Sequence, residues 1–358
     1  MPPQTLRIID ANCNRISEGL RLLEDIARFL LDDAALRQQL KSMRHSLVRS
    51  LSEFGTGLLS ERNSEGDVGV NIESDRQRQD LPSLVTANAK RVEEGLRVIE
   101  ELAKLPEISP VLHSEDFERA RFKLYTLERS LLSKVLRQQK IARLTGLYVI
   151  IDTELLGLKN EVDAASKAVR GGARIIQLRD KHHSKGELLS IAQKLKDLCH
   201  KSDALLIIND HLDIALAADA DGLHIGQTDL PPSVVRRELP IDKIVGCSTT
   251  TSAQAMSAEA DGADYVAVGS IFTSPTKRDA TVIGLEGLRQ LKQGISIPLV
   301  AIGGINKDNI AQVMAAGADS AAVISAVLAQ QNVERATRQL VTQIGQKAEN
   351  HRKSGSHC

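Results

Sequence analysis

Residues 205–210 read Leu-Leu-Ile-Ile-Asn-Asp, four large aliphatic residues followed by two polar ones. A short apolar run that ends on polar residues is typical of a buried parallel strand. Seven similar runs lie after Leu144, each followed by a polar loop and an amphipathic segment: LYVIID, ARIIQLR, GLHIG, IVGCS, YVAVGS, PLVAIGG and SAAVIS. Eight successive strand–helix units predict an α/β fold, a (β/α)8 TIM barrel.

In such a barrel the carboxyl ends of all eight strands meet at one face, where the loops build the site. Asp210 follows the third strand and Asp229 comes shortly after the fourth, so we expect these carboxylates to lie close together. With no Cys or His ligand set beside them, two carboxylates suit Mg²⁺, which shares its shell with substrate phosphates. One aspartate alone could instead cap a helix, but the pair beside nearby cations favours a metal site.

The cations at the same strand ends are Arg179, Lys181 and Lys277. Converging on a bound Mg²⁺, they would hold an anion of high charge density such as a diphosphate. A second anion site is indicated by Gly303-Gly304 and by Ser325, which precedes a short helix, because barrels often bind a phosphate after strands seven and eight. The glycine pair alone could also be a tight turn.

The two anion sites would face one cavity, which suits the joining of a diphosphate-bearing electrophile to a phosphorylated nucleophile. No side chain has an obvious need to abstract a proton. We therefore expect catalysis by charge stabilisation and positioning.

The first part of the chain has a different pattern. Apolar residues recur at helical spacing from about residue 5 to 142. We expect helices near 10–31, 33–53, 83–105 and 114–141, with Asp10 and Thr86 as start signals. The predicted organisation is an all-α domain over 1–142, the barrel over 143–345, and a disordered tail over 346–358.

This helical part contains an internal repeat. The stretch ANCNRISEGLRLLED from Ala11 returns as ANAKRVEEGLRVIEE from Ala87. Ile16 begins an apolar helix face in the first copy, and Val92 begins the matching face in the second. Glu24 is expected to point to solvent. The repeated polar residues and the repeated internal glycine, which costs about 1 kcal/mol against alanine in a helix, require more than a shared core.

Three interpretations of the repeat stay open. The first is packing, in which Gly19 and Gly95 let two helices cross closely about a pseudo-twofold axis. The second is a small-molecule site built from repeated and loop residues: Asn12, Arg15, Asn88, Arg91, Arg62 and Asp67. The third is an oligomerisation module, which would make the protein a homo-oligomer.

Composition excludes several classes of protein. Lys+Arg and Asp+Glu balance at 46 each and aromatics are scarce, so no nucleic-acid footprint is visible. We expect neither a membrane span nor a signal peptide. Four dispersed cysteines form no CxxC pair, which favours a reducing cytoplasm over a disulfide framework.

The motifs IIQLRDK, IINDHLDIALAADADGLHIGQTDL, GCSTT, GADYVAVGSIFTSPTK, PLVAIGGI and AGADSAAVISAV resemble, in order and spacing, the thiamine-phosphate synthase family. The resemblance covers roughly residues 146–330. It implies that a (diphosphooxymethyl)pyrimidine and a thiazole phosphate are condensed to thiamine phosphate and diphosphate, with Mg²⁺. The family mechanism is dissociative: diphosphate leaves first, and the thiazole nitrogen captures the resulting pyrimidine-methyl cation.

The resemblance also implies roles for individual residues. Those implied for the pyrimidine diphosphate are Gln177, Leu178, Arg179, Asp180, Lys181, Asn209, Ser248 and Lys277. Those implied for the thiazole phosphate are Ser274, Thr276, Gly304, Ile324 and Ser325. Asp210 and Asp229 would hold Mg²⁺, and the catalytic cations would be Arg179, Lys181 and Lys277. The chain departs from the family after Ser248, where three threonines from Thr249 stand in place of Ala-His-Thr, and at Ser274, where threonine is common; both segments carry hydroxyls.

The helical half is similar to a domain found fused to such synthases in some bacteria. That likeness implies ATP-dependent phosphorylation of the pyrimidine monophosphate. The sequence has no P-loop, so the kinase hypothesis depends on the likeness alone. The alternative function is a barrel like thiazole tautomerase with a non-catalytic helical scaffold; it has no use for Asp210, Asp229, Arg179 and Lys181.

Overall fold

A computed structural model describes residues 2–51, 80–157, 159–273 and 281–354, with side chains through residue 345. The chain divides into two compact units, Met1–Gln138 and Gln139–Cys358. The functional boundary expected at 142/143 and the tail expected from residue 346 stay predictions. Five candidate residues lie outside the described residues: Arg62, Asp67, Ser274, Thr276 and Lys277.

The first unit is helical, as predicted. Its elements are α1 (Pro3–Asp25), a π-helical turn (Ile26–Leu30), α2 (Ala34–Leu51), α3 (Leu81–Leu102) and α4 (Ser114–Ile141). The expected start signals at Asp10 and Thr86 are wrong, because both residues lie inside helices. Helix α3 begins instead after Asp80, whose side chain accepts from the Ser83 N–H in a capping box.

Helices α1 and α3 cross at the repeated glycines. A Cβ added at Gly19 would lie 2.5 Å from Val92 Cγ2, and one added at Gly95 would lie 2.8 Å from Ile16 Cγ1. Gly19 of α1 therefore contacts Val92 of α3, and Gly95 of α3 contacts Ile16 of α1. The reciprocal contacts make the crossing antiparallel and pseudo-twofold, which is the packing interpretation of the repeat.

The repeat also buries a charge in each copy. Glu24 is 3% exposed and accepts from Arg44 of α2 at 2.9 Å. Glu100 is equally buried and accepts from Arg97 at 2.6 Å and from Arg121 of α4 at 3.2 Å. The expectation that Glu24 faces solvent is wrong, because a long basic side chain from the following helix neutralises it. The duplicated unit is thus a helix pair tied by a buried ion pair.

The second unit is a closed barrel of eight parallel strands in the order β1 to β8. The strands are β1 (Gly146–Asp152), β2 (Ile175–Arg179), β3 (Leu205–Asn209), β4 (Gly222–Ile225), β5 (Ile244–Thr249), β6 (Tyr265–Val268), β7 (Leu299–Ile302) and β8 (Ser320–Val323). All eight predicted strands are confirmed, and so is the fold class.

Helices follow most strands and cover the barrel. They are α5 (Thr153–Leu156), α6 (Glu161–Arg170), α7 (Lys185–Lys201), α8 (Leu212–Ala217), α9 (Pro232–Glu238), α10 (Ser252–Ala260), α11 (Gly284–Gln293), α12 (Ile310–Ala315), α13 (Ser325–Leu328) and α14 (Val333–Ser354). Strand residues alternate between two cores. Val149 and Ile151 pack outward against helices, while Tyr148 and Ile150 fill the barrel interior.

The glycine crossing generates a stability test. Gly19→Val should lower the free energy of unfolding by about 2–3 kcal/mol, because the added carbons overlap Val92 and the helices must separate. Gly345→Val, where an added Cβ meets nothing within 4 Å, should change it by less than about 0.5 kcal/mol. Urea unfolding of the full chain measures both variants. Equal effects of the two would mean that the crossing tolerates a side chain.

Candidate active site

The carboxyl ends of β3 and β4 bring Asp210 and Asp229 together. The Asp210 carboxyl is hydrogen-bonded to Asp229; partial burial and then this neighbour raise the pKa of Asp210 above its ordinary value. Asp210 has a φ of +61°, which aspartate tolerates better than most residues, and its N–H donates to the His224 carbonyl at 2.9 Å. Asp229 Oδ2 accepts from the Gly226 N–H at 2.7 Å.

The two described cations differ in how they are held. Arg179, at the end of β2, donates to Asp152 Oδ2 at 2.5 Å, and Asp152 also accepts from the Leu155 N–H. Lys181 is exposed and has no carboxylate partner among the described residues. Asp152 was not among the predicted site residues, although its position at a strand end was a usable signal. It orients the Arg179 guanidinium at the barrel mouth.

Asp180 organises the loop after β2. Its buried carboxylate accepts from the Thr153 hydroxyl at 2.5 Å, from the His182 and His183 N–H groups, and it pairs with His183 Nδ1 at 2.6 Å. Burial alone would raise the pKa of Asp180, but these hydrogen bonds lower it to about 2. Because the carboxylate is used within the loop, the predicted substrate contact of Asp180 could come only from its backbone.

The remaining pyrimidine-side candidates lie in three environments. Gln177 and Asn209 are buried in the barrel interior, and Asn209 hydrogen-bonds Asp210. Ser248 is half-buried at the end of β5 and is reached by His224 Nε2 at 2.9 Å. Leu178 packs in the core between sheet and helices, so only its backbone could touch a substrate.

His224, a polar residue at a strand end, is the second residue for which the sequence predicted no role. It is 6% exposed, and burial lowers its pKa to about 4, although Asp229 opposes this. The imidazole is therefore neutral at pH 7. A histidine whose strand neighbours Leu223 and Ile225 pack outward must point into the barrel, so the strand pattern of GLHIG contained this signal.

A cavity of about 380 Å³ lies at the ends of β7 and β8. Its lining includes Thr273, Gly303, Gly304, Ile324 and Ser325. No described residue accepts from the N–H of Gly304 or of Ser325. Three of the predicted thiazole-phosphate residues, Gly304, Ile324 and Ser325, thus share one cavity.

The glycines at this cavity are required by close contact. Gly303 and Gly304 have φ values of +100° and +67°, and a Cβ on Gly304 would lie 2.7 Å from Phe272 Cβ. The segment after β6 therefore packs directly on the glycine pair. The glycine pair therefore both forms a tight turn and lines the cavity.

The helical candidates form two matching pairs at the α1–α3 crossing. Asn12 Nδ2 donates to the Ile8 carbonyl and Asn88 Nδ2 to the Leu84 carbonyl, each at 2.8 Å. Arg15 and Arg91 reach the two asparagine oxygens at 3.5 and 3.4 Å and are otherwise exposed. Each asparagine thus donates to a carbonyl of its own helix and accepts from the arginine three residues later. The role of the arginines stays a prediction.

A closed (β/α)8 barrel that gathers carboxylates, cations and a glycine-lined cavity at one mouth defines an enzyme of the barrel class. The chain belongs to the thiamine monophosphate synthase family, whose model matches residues 147–327. The model of the ThiD2 family matches residues 7–130.

Relatives match almost the whole chain. A thiamine-phosphate synthase of Thermosynechococcus vestitus is 38% identical, with 95% of each chain covered. One from Synechocystis sp. is 37% identical, covering 96% of this chain and 97% of its own. The solved thiamine phosphate pyrophosphorylase of Pyrococcus furiosus is 42% identical with a TM-score of 0.54, covering 57% of this chain and 97% of that one. No described helix is both long and apolar enough to cross a bilayer.

The Asp180 hydrogen bonds predict a pH dependence of stability. With a folded pKa of about 2 against about 3.9 when unfolded, Asp180 stabilises the fold above the unfolded value and loses this effect as pH falls towards 2. The deficit of Asp180→Asn should therefore be full at pH 7 and smaller at pH 3, measured by urea unfolding. Asp203→Asn, at an exposed residue with φ of +52°, is the control. A deficit independent of pH would contradict the charged role.

Proposed function

We propose that the barrel is a thiamine-phosphate synthase. It would condense 4-amino-2-methyl-5-(diphosphooxymethyl)pyrimidine with 4-methyl-5-(2-phosphooxyethyl)thiazole, giving thiamine phosphate and diphosphate. The observation that carries the proposal is the meeting of Asp210 and Asp229 at the mouth that also holds the Gly304–Ser325 cavity. One mouth thus offers a site for each of two phosphorylated substrates, in a chain of this family.

The donor set fits Mg²⁺. Burial and then the neighbouring Asp229 raise the pKa of Asp210, so a cation held between the two carboxylates would stabilise their charged forms. The described residues contain no cluster of three or more His, Cys, Asp or Glu with metal-ligand geometry. A hard ion on two carboxylates keeps coordination positions for water and diphosphate oxygens. When bound, Mg²⁺ would neutralise charge on the leaving group.

The chain's own residues then have defined tasks. Arg179, oriented by Asp152, and Lys181 would bind the diphosphate oxygens, and Lys277 is proposed for the same task. The N–H groups of Gly304 and Ser325 would bind the thiazole phosphate. The methylene C–O bond breaks with its electron pair leaving on diphosphate, and the thiazole nitrogen lone pair forms the new C–N bond. No proton is removed, which agrees with a site that needs no general base.

The carboxylate pair is tested by substitution. Asp210→Asn and Asp229→Asn should each reduce diphosphate release at least about a hundredfold, since the leaving-group charge is no longer balanced. Asp213→Asn, on the exposed start of α8, should keep the normal rate. Release is measured with both synthetic substrates and Mg²⁺. Near-normal rates in both variants would overturn the metal assignment.

We also propose that the helical unit phosphorylates the pyrimidine monophosphate with ATP, supplying the barrel with its diphosphate substrate. The match to the ThiD2 family and the repeated exposed arginines Arg15 and Arg91 support this proposal. The rival hypothesis is a scaffold or oligomerisation module. The close α1–α3 packing is compatible with either one.

The full chain carrying Asp210→Asn separates the two activities. Given the pyrimidine monophosphate, the thiazole phosphate, ATP and Mg²⁺, it should accumulate the pyrimidine diphosphate, because the barrel no longer consumes it. Adding Arg91→Ala should slow this accumulation about tenfold or more by removing a phosphate-binding cation. Arg119→Ala, at an exposed arginine of α4, is the matched control. If the folded protein consumed no ATP, the kinase hypothesis would be rejected and the scaffold hypothesis would remain.

A further inference from the structure

Five side chains form an unbroken hydrogen-bond chain across the barrel interior. Gln177 Nε2 lies 2.8 Å from Tyr148 Oη, and Tyr148 Oη lies 3.1 Å from Tyr265 Oη. Tyr265 Oη lies 3.1 Å from His224 Nδ1, and His224 Nε2 lies 2.9 Å from Ser248 Oγ. The chain links two residues predicted to contact the pyrimidine through three that were not.

The three linking residues are built into the barrel. Tyr148, Tyr265 and His224 are 1%, 0% and 6% exposed, and the His224 and Tyr265 rings stack with centroids 5.6 Å apart. The Tyr265 ring fits only because β5 has a glycine beside it: a Cβ on Gly246 would lie 2.0 Å from Tyr265 Cζ. We call Tyr148, Tyr265 and His224 the relay.

With Gln177 Nε2 facing Tyr148 as in the structure, counting protons gives the relay a direction. Tyr148 Oη accepts from the Gln177 amide, so its single proton goes to Tyr265 Oη. Tyr265 in turn donates to His224 Nδ1. With Nδ1 accepting, the imidazole carries its proton on Nε2 and donates to Ser248 Oγ, which leaves the serine proton for a ligand. Each of the four links then has one donor and one acceptor in this arrangement.

The two ends of the chain therefore have opposite hydrogen-bonding character. Among the described residues none donates to Gln177 Oε1, so this end offers an acceptor. Ser248 offers a donor. Flipping the Gln177 amide would reverse every bond, and the ends would become a donor at Gln177 and an acceptor at Ser248. Because the relay transmits polarity, a Gln177 Oε1 available as acceptor and a Ser248 hydroxyl proton available to a ligand occur together.

We propose that the relay positions Gln177 as an acceptor and Ser248 as a donor, so that the site selects a pyrimidine bearing an exocyclic amine beside a ring nitrogen. An amine donates to Gln177 Oε1, and the ring nitrogen accepts from Ser248. The 4-oxo analogue presents a carbonyl beside a ring N–H and meets the wrong group at both ends. This inference deepens the proposed function and rests on it for the identity of the pyrimidine.

The polarity can be read directly from the histidine tautomer. In the full chain labelled with ¹⁵N-histidine, the signals of His224 are identified by their loss in His224→Gln. The relay requires the Nε2–H tautomer at neutral pH. Tyr265→Phe keeps the ring but removes the donor to Nδ1, so it should produce a mixture of tautomers. A pure Nδ1–H tautomer, an imidazolium, or no change in Tyr265→Phe would overturn the proposal.

Selectivity is tested on the same sample with probes that cannot react. 4-Amino-2-methylpyrimidine should bind more tightly than its 4-oxo counterpart, and Tyr265→Phe should reduce that preference by about tenfold. Tyr125→Phe, at a tyrosine bonded to Arg121 in the helical unit, should leave it unchanged. An equal loss of affinity for both probes would mean that the relay is only structural. Because neither test requires turnover, failure of condensation alone would refute the proposed function and not the relay.

Discussion

The structure depends on one constraint: eight parallel strands close on themselves, so all their carboxyl ends must meet at a single mouth. The sequential strand order makes β3 and β4 neighbours, with Asn209 opposite His224 in register, and closure pairs β8 with β1. The residues that follow these strands are Asp210 and, three residues after Gly226, Asp229. Residues far apart in sequence become contacts without any long flexible loop to place them.

The same closure creates an interior in which polar groups have few partners. A buried hydroxyl or imidazole without a hydrogen bond is costly. The barrel satisfies Tyr148, Tyr265 and His224 through one another, and among the described residues the network ends at Gln177 and Ser248. The same network thus satisfies the buried polar groups and presents Gln177 and Ser248 to a ligand. A substitution deep in the barrel should therefore change ligand affinity.

The helical unit solves a different problem with duplicated parts. A pseudo-twofold crossing is possible because each repeat supplies one glycine and one apolar side chain. The apolar side chain of each repeat packs against the glycine of the other. The buried carboxylates Glu24 and Glu100 are neutralised by arginines of the next helix in each copy. Polar residues are thus repeated because the architecture needs them twice, and the exposed Arg15 and Arg91 are presented as a matched pair.

The eight strands, the helical half and the proximity of Asp210 and Asp229 could all be predicted, because each follows from local periodicity or from strand order, which a sequence states directly. Helix starts were less predictable: Asp80 and not Thr86 begins α3, since capping depends on local backbone geometry. Only the tertiary structure decided that Asp180 organises its own loop, that Glu24 is buried, and that His224 bonds Tyr265 and Ser248. Those facts depend on which side chains from distant segments meet in three dimensions, and no periodic pattern along the chain encodes such meetings.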